Sequence, residues 1–308
     1  MGRDQFNITF WGVRGGYPKP GPTTVKYGGN TTCFEVKAGA HRIIIDGGTG
    51  IIDLGRQMMQ EYLSSKVPMH ATILVTHTHH DHTQGFPFFV PTRQYDSYFD
   101  FFGPELLMTH EPFEQFLERV MQPPVFPIGT EELYSKRRIE QTKHGDTIVL
   151  LDYNTPAQRF GMGAKLSALP EDAVTIQVSH GYNHPKNGIL FFRVNYKNRS
   201  VVIATDTEGY VDDDQKLIRF ASGANILVHD AEYDEQEYGR NTIVRQGWGH
   251  STWRMATNVA KAAGAKQLVM THHSPSHDDA YLESMLAKAQ KAFPNTLLAQ
   301  EELTLDIL

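Results

Sequence analysis

Four candidate metal ligands lie within six residues of one another, in the run HTHHDH at positions 77–82. Three imidazoles and one carboxylate are donors that zinc, manganese and iron accept in proteins. The residues before the run are apolar and predict a buried strand, and alternate residues leaving a strand end can point to the same side. We therefore expect His77 and His79 to hold one ion, while Asp81 and His82 reach a second.

Two divalent ions need more donors than this run supplies, so other parts of the chain must contribute. Three single residues elsewhere are the candidates: His184, Asp206 and His272. The sequence has one cysteine, Cys33, so neither an internal disulfide nor a cysteine-based metal site is expected. Any metal must then be held by histidine and carboxylate.

Several of these candidates end short apolar runs that predict strands. Five such runs finish in His or Asp, at residues 42–46, 71–77, 200–206, 225–230 and 267–272. Helical patterns follow the glycines at 47–50, extend from Thr252 to a stop at Gly264, and begin after a cap at Asp278. This pattern predicts a sheet-centred α/β protein with a shared site at the strand ends. No linker or charge block interrupts it, so we expect one domain over residues 1–308.

The bulk composition narrows the function classes. With 29 Lys and Arg against 35 Asp and Glu, the net charge of −6 disfavours indiscriminate binding to nucleic acid. The one tight basic run, at 136–138, is expected to be a solvated face. The first residues lack the apolar stretch of a signal peptide, and no run reaches the roughly 18 apolar residues of a membrane span. A cytoplasmic protein with no membrane association is therefore expected.

The His77 run, Asp206 at a strand end and His272 in MTHHSP (270–275) together resemble the metallo-β-lactamase superfamily. The resemblance implies a four-layer αβ/βα sandwich with two divalent ions at its rim, zinc first and manganese or iron as alternatives. The segments WGVRGG (11–16), GGNTTC (28–33) and DGGTG (46–50) are similar to those of a bacterial, phosphodiesterase-type subgroup. NHP (183–185) is similar to the third metal motif of that subgroup.

The C-terminal half resembles ribonuclease Z and its phosphodiesterase relatives. LVHDAEY (227–233) is similar to their His-Glu-Ala-Thr segment, with Asp230 in place of Glu, and WGHST (248–252) is similar to their His-Ser-Thr segment. Nothing between residues 91 and 183 looks like the Gly/Pro-rich, basic arm with which ribonuclease Z holds tRNA. The resemblance therefore implies phosphodiester chemistry, with a small-molecule substrate rather than a long nucleic acid.

The sequence alone does not decide the roles of several histidines. His180 could replace His184, although the proline after His184 favours the latter, and His273 could replace His272. His80 interrupts the ligand run and is expected to face away. His250 has a purely structural interpretation as a residue at the start of a helix.

The predicted reaction is hydrolysis of a phosphodiester in a cyclic or small nucleotide. Asp206 would bridge the two ions, and Asp81 would bind one of them and orient the attacking hydroxide that they share. His250 would stabilise or protonate the leaving oxygen, with Asp230 as its partner. The alternatives are a ribonuclease Z-like endonuclease acting at RNA 3′ ends, an acyl or thioester hydrolase of the lactamase or glyoxalase II type, and a non-catalytic diiron protein.

A homodimer is also expected, because the family commonly forms dimers. One aromatic-rich stretch could supply an apolar interface or belong to the core, at Tyr95, Tyr98, Phe99, Phe101 and Phe102.

Overall fold

Two β-sheets and the helices on their outer faces account for most of the residues that the computed structural model describes, which are 4–166, 168–184, 187–210, 213–239 and 243–308. The first strands are β1 (Phe6–Gly12), β2 (Cys33–Ala38), β3 (His41–Ile45), β4 (His70–Leu74), β5 (Tyr98–Pro104), β6 (Lys136–Thr142), β7 (Thr147–Leu150) and β8 (Gln158–Phe160). The later strands are β9 (Val174–Gly181), β10 (Ile189–Tyr196), β11 (Arg199–Ala204), β12 (Ile226–Asp230), β13 (Gln267–Thr271), β14 (Thr296–Leu298) and β15 (Thr304–Asp306). Pro185 of the third metal motif lies outside the described residues.

The helices connect and cover these strands. They are α1 (Gly50–Ser65), α2 (His80–Thr83), α3 (Phe113–Val120), α4 (Gln215–Phe220), α5 (Glu235–Gly239), α6 (Trp253–Ala263) and α7 (Asp279–Ala292). Short 3₁₀ turns occupy Phe86–Phe88, Val90–Arg93 and Thr130–Glu132. None of the helices in the described ranges is long and apolar enough to cross a membrane.

The strand order brings the predicted site residues to one edge of each sheet. One sheet has the order β15-β1-β2-β3-β4-β5-β6 and the other β14-β13-β12-β11-β10-β9-β7-β8. Strands β3 to β6 are parallel, and so are β11 to β14. Parallel strands end at the same edge of their sheet, so the residues that follow β3 and β4 gather at one edge, and those that follow β11, β12 and β13 at an edge of the other sheet. The two edges adjoin, since Asp81 Oδ2 lies 3.2 Å from His272 Nε2.

The core follows the alternation of side chains along the strands. In β3, Ile43 and Ile45 face the space between the sheets, where Phe34, Phe192 and other fully buried residues pack. Ile44 points the other way, into a cluster with residues of α1 and α3. A third cluster packs α4, α6 and α7 on the second sheet. The layers are therefore αβ/βα, which confirms the predicted fold class.

The helix ends match the signals in the sequence. Thr252 caps α6, because its hydroxyl accepts a hydrogen bond from Met255 N–H at 3.3 Å. Gly264 ends that helix with a left-handed φ of 63°. Asp278 caps α7 and accepts from Tyr281 N–H at 2.8 Å.

One expectation about surface residues was wrong. Phe99, Phe101 and Phe102 are buried, because β5 lies inside the sheet between β4 and β6 and is covered on its outer face by α3. These rings therefore belong to the core and offer no dimer interface. The basic run at 136–138 is at least partly exposed, and Arg138 is also paired, since its Nε donates to Asp100 Oδ1 at 2.8 Å and its guanidinium contacts Ala157 O.

A buried arginine joins the first loop to the segment that follows β13. Arg14 is fully buried, and its Nε donates to Gly28 O at 2.8 Å while Nη1 donates to Ser274 O at 3.0 Å and His277 O at 2.7 Å. A lysine ammonium cannot reach carbonyls in these separate directions with one nitrogen. We expect Arg14→Lys to lower the free energy of unfolding by about 2–3 kcal/mol, measured by urea denaturation.

The matched control is Arg56→Lys, since Arg56 is exposed and, among the residues that the structure describes, forms an ion pair only with Asp53 three residues before it. That change should leave the urea midpoint unchanged. Equal midpoints for the Arg14 and Arg56 variants would contradict the structural role given to Arg14.

Candidate metal centre

The predicted ligands follow strand ends and one hairpin turn. Positions 77–82 follow β4, Asp206 follows β11, His272 follows β13, and His184 lies in the turn between β9 and β10. Asp206 and His272 have left-handed φ values of 48° and 60°, and Asp46 after β3 has 63°. Such values are uncommon for residues other than glycine and concentrate at functional sites.

Three of the imidazoles form a first group. Ligand atoms of His77, His79 and His184 lie within 4.8 Å of one another. His184 Nε2 is 3.0 Å from His79 Nδ1. His79 is exposed while the other two are buried, so the group opens to solvent on the His79 side.

A second group combines two carboxylates and two imidazoles, all buried: Asp81, His82, Asp206 and His272. Asp81 Oδ2 lies 3.4 Å from His82 Nε2 and 3.2 Å from His272 Nε2. Gly16 N–H donates to the same Asp81 oxygen at 2.7 Å, which fixes this carboxylate from the first loop.

Asp206 lies between the two groups. Its Oδ1 is 3.6 Å from His77 Nε2, 3.9 Å from His184 Nε2 and 3.1 Å from His272 Nε2. Its Oδ2 is 3.3 Å from His82 Nε2. The structure therefore brings all seven predicted ligands together, and one carboxylate touches both groups.

The donors in this cluster fit divalent cations. His77 Nε2 and His82 Nε2 are buried and have no hydrogen-bond partner among the described residues. Buried polar atoms are nearly always satisfied, so nitrogens that face carboxylates and other imidazoles without a partner indicate a site for a cation. Imidazole and carboxylate are the ligands that zinc and related ions prefer.

In three of the predicted histidine ligands, the ring nitrogen Nδ1 faces an oxygen of a neighbouring residue. His82 Nδ1 lies 2.8 Å from Asp46 Oδ2, and His272 Nδ1 lies 3.1 Å from Glu232 Oε2. His184 Nδ1 lies 3.1 Å from Gly249 O. An imidazole that binds a metal usually donates its other N–H in this way, which fixes the ring.

The electrostatics differ between the two donor groups. Burial raises the pKa of Asp206, but His272 and His82 outweigh burial and hold that pKa well below its usual value. Burial lowers the pKa of His82, yet Asp206 and Asp81 raise it well above its usual value. Burial also lowers the pKa of His184 to about 4, which keeps this ring neutral and free to bind a metal.

His250 borders both groups. Its Nδ1 is 2.7 Å from Asp230 Oδ2 and 3.4 Å from Glu232 Oε2. The ring stacks on His272 with a centroid distance of 4.7 Å and an interplanar angle of 13°. Burial lowers the pKa of His250, but Glu232 and Asp230 raise it to about 9. The two carboxylates therefore favour the protonated form of His250.

Comparison with known families and proteins agrees with this geometry. The sequence pattern of the Beta-lactamase superfamily domain matches residues 41–273. The chain belongs to the beta-lactamase superfamily. A ribonuclease Z of Brevibacillus brevis is 39% identical over 107 residues, which are 33% of this chain and 31% of that protein. A ribonuclease Z of Picrophilus torridus is 23% identical over 98% of this chain and 96% of that protein.

The fold is also similar to a solved structure of human tRNase Z, short form. The TM-score is 0.61 at 20% identity, and the match covers 98% of this chain and 99% of the human one. Within the beta-lactamase superfamily the chain thus resembles the ribonuclease Z branch, as the sequence predicted. Family membership and the donor cluster together make it a metal-dependent hydrolase of the superfamily.

The geometry separates the residues that the sequence left ambiguous. His180 Nε2 faces Asn187 O at 3.2 Å, and His273 Nε2 faces Ala299 O at 2.9 Å, so neither ring joins a donor group. His80 is exposed at the start of α2, outside both groups. Thr252 rather than His250 caps α6, so a cap does not explain the position of His250.

The sequence analysis did not predict two acidic residues of the site, Asp46 and Glu232. The sequence marks Asp46 only as a strand end in a glycine motif, but its side chain accepts from Thr76 N–H at 2.7 Å and faces His82. Glu232 was read only as part of LVHDAEY, yet it contacts both His272 and His250. Its position two residues after Asp230, on the same side of an extended segment, was the available signal.

Proposed function

We propose that this chain is a phosphodiesterase that uses two divalent metal ions. The observation that carries the proposal is the arrangement of seven donors in two groups that share Asp206, with His250 beside both and bonded to Asp230. His77, His79, His184 and Asp206 would hold one ion, and Asp81, His82, His272 and Asp206 would hold the other. When bound, such ions lower the pKa of water toward neutrality and offset the negative charge of a phosphodiester.

The side chains of the protein have separate roles in this reaction. Asp81, fixed by Gly16 N–H, would orient the attacking oxygen with its carboxylate. His250 would donate its Nε2 proton to the leaving oxygen. Its Nδ1 stays bonded to Asp230, so the ring keeps one orientation while the Nε2 proton moves. An acyl or thioester hydrolase does not require this His250–Asp230 pair, which supports the phosphodiester proposal.

RNA is the first substrate to test. The relatives named ribonuclease Z favour an RNA 3′-end endonuclease over the small or cyclic nucleotide predicted from the sequence. The second candidate remains a small or cyclic nucleotide, because residues 91–183 carry no Gly/Pro-rich basic arm and the net charge is −6.

The experiment compares four substrate classes on one preparation loaded with zinc, manganese or iron. These are an RNA with a 3′ extension, a cyclic nucleotide, bis(p-nitrophenyl) phosphate, and a pair of acyl substrates consisting of nitrocefin and a thioester. A higher kcat/KM for RNA than for the cyclic nucleotide supports the first candidate, and the reverse order supports the second. Turnover of the acyl substrates alone would refute the phosphodiesterase proposal.

A further inference from the structure

One buried carboxylate outside the ligand set binds the loop that precedes His250. Glu208 follows Asp206 by two residues and has only 1% of its surface exposed. Its Oε1 accepts hydrogen bonds from Tyr238 Oη at 2.5 Å and from Gly247 N–H at 2.8 Å. Its Oε2 accepts from Gly249 N–H at 2.8 Å and also from Gly247 N–H at 3.0 Å. Three donors thus converge on one carboxylate, and hydrogen bonds to a charged acceptor are the stronger kind.

The bound loop has a conformation that needs this support. Gly247 and Gly249 have left-handed φ values of 82° and 89°, so their N–H groups turn inward toward the carboxylate. The carbonyl of Gly249 faces His184 Nδ1 at 3.1 Å, and the next residue is His250. Glu208 therefore holds a loop that contacts one proposed metal ligand and carries the proposed acid.

Thr207, the residue before Glu208, contacts the loop that carries His250 and the loop that carries His184. Thr207 O accepts from Ser251 Oγ at 2.6 Å, on the far side of His250. Thr207 Oγ1 accepts from Asn183 Nδ2 at 3.0 Å, next to His184. The short segment after Asp206 is thus the junction of the three loops that carry Asp206, His184 and His250.

We infer that Glu208 is a positioning residue, which sets the Gly247–Gly249 loop and through it the placement of His250 and the orientation of His184. This inference rests on the proposed function in one respect, since the expected effect of Glu208 on kcat depends on His250 acting as the proton donor. The effect on the loop itself does not depend on that role.

Glu208→Gln tests the contact with almost no change in volume. One carboxylate oxygen becomes an NH₂ group, which removes the negative charge and replaces an acceptor of the loop N–H groups by a donor, so the charge-assisted hydrogen bonds that hold the loop weaken. In the metal-free protein, hydrogen exchange of the peptide covering residues 243–252 should then accelerate by about tenfold or more. Exchange of β13 should stay unchanged.

Two further measurements test whether the change in the loop affects metal binding and turnover. The affinity for zinc, measured by chelator competition, should fall by about tenfold, because His184 loses a fixed partner for Nδ1. At saturating metal, kcat for a diester with an alkyl leaving group should fall by about 10²-fold, with KM changed less than about threefold. The double variant with His250→Ala should be no slower than His250→Ala alone, since both changes remove the same function.

The matched control is Asp146→Asn. Asp146 is also a buried carboxylate that accepts from a backbone amide, Lys143 N–H at 3.1 Å, but it lies in the turn before β7 and contacts no proposed ligand. This variant should keep the wild-type zinc affinity, exchange of 243–252 and kcat. If Glu208→Gln does not fold, Tyr238→Phe removes one of the three donors and should shift the same measurements in the same direction by a few fold.

The outcomes separate this inference from the proposed function. The positioning role of Glu208 would be overturned if Glu208→Gln left hydrogen exchange in 243–252 unchanged. It would also be overturned if the kcat losses of Glu208→Gln and His250→Ala multiplied in the double variant. Faster exchange and weaker zinc binding without any phosphodiesterase activity in the wild type would support the positioning of the loop and refute the proposed reaction instead.

Discussion

Asp206→Ala is expected to remove most of the bound metal and to lower turnover by about 10³-fold or more. Its carboxylate lies 3.1–3.9 Å from four imidazole nitrogens in both donor groups, so no other residue of the set can replace it. The contribution of metal ions to hydrolysis is several kcal/mol, and each 1.36 kcal/mol corresponds to a factor of about ten in rate. Metal content by elemental analysis and turnover of a diester, measured on the same preparation, test this expectation.

His79→Ala provides a graded comparison. His79 belongs to the first group only, and it is the exposed member of that group. The variant should therefore lose about one metal equivalent relative to the wild type and retain the second. Its turnover should also fall steeply, because the proposed reaction needs both ions.

His80→Ala is the control for both variants. His80 directly follows His79 but is exposed and belongs to neither donor group. It should keep wild-type metal content and turnover. Wild-type values in Asp206→Ala and His79→Ala as well would refute the assignment of these residues as ligands.

The sequence predicted the residues whose role depends on local pattern. Strand ends that finish in His or Asp, a glycine stop and an aspartate cap are local signals, and the structure confirms Gly264 and Asp278 as helix boundaries. The parallel order of β3–β4 and β11–β13 then carries the strand ends to one edge of each sheet. For these elements the local pattern and the tertiary structure agree.

Residues that act through long-range contacts were harder to predict. Glu232 and Glu208 each lie two residues beyond a predicted site residue, but their partners are 18 to 41 residues away in the chain. No periodicity encodes such partners, because they depend on how the loops fold over the strand ends. The choice between His180 and His184 likewise depended on the shape of one turn.

The aromatic run in β5 shows a different kind of error. An uninterrupted apolar stretch is typical of a central strand with both faces covered, and that is where Phe99, Phe101 and Phe102 lie. Only Tyr95, which precedes the strand, is strongly exposed. Of the two alternatives for this run, the core position is the one that the structure supports.

His250→Ala separates leaving-group chemistry from metal binding. His250 contacts the ligand His272 by stacking, and its Nδ1 bonds to Asp230, so its removal leaves the seven-donor set intact. We expect the variant to keep its metal content and to lose turnover by about 10²–10⁴, the usual contribution of a positioned acid or base. Metal analysis and kinetics on the same preparations measure both quantities.

The loss should depend on the leaving group. An alkoxide needs a proton as it departs, whereas p-nitrophenolate is stable as an anion, so the alkyl diester should lose far more turnover than bis(p-nitrophenyl) phosphate. His180→Ala is the bystander control, because that ring faces Asn187 O and joins neither donor group. Equal losses on both substrates would mean that His250 acts by electrostatic or structural effects rather than as an acid. Loss of metal from the variant would instead place His250 among the ligands, where its distance of under 4.8 Å from the donor atoms of His184 and Asp206 would allow it to bind.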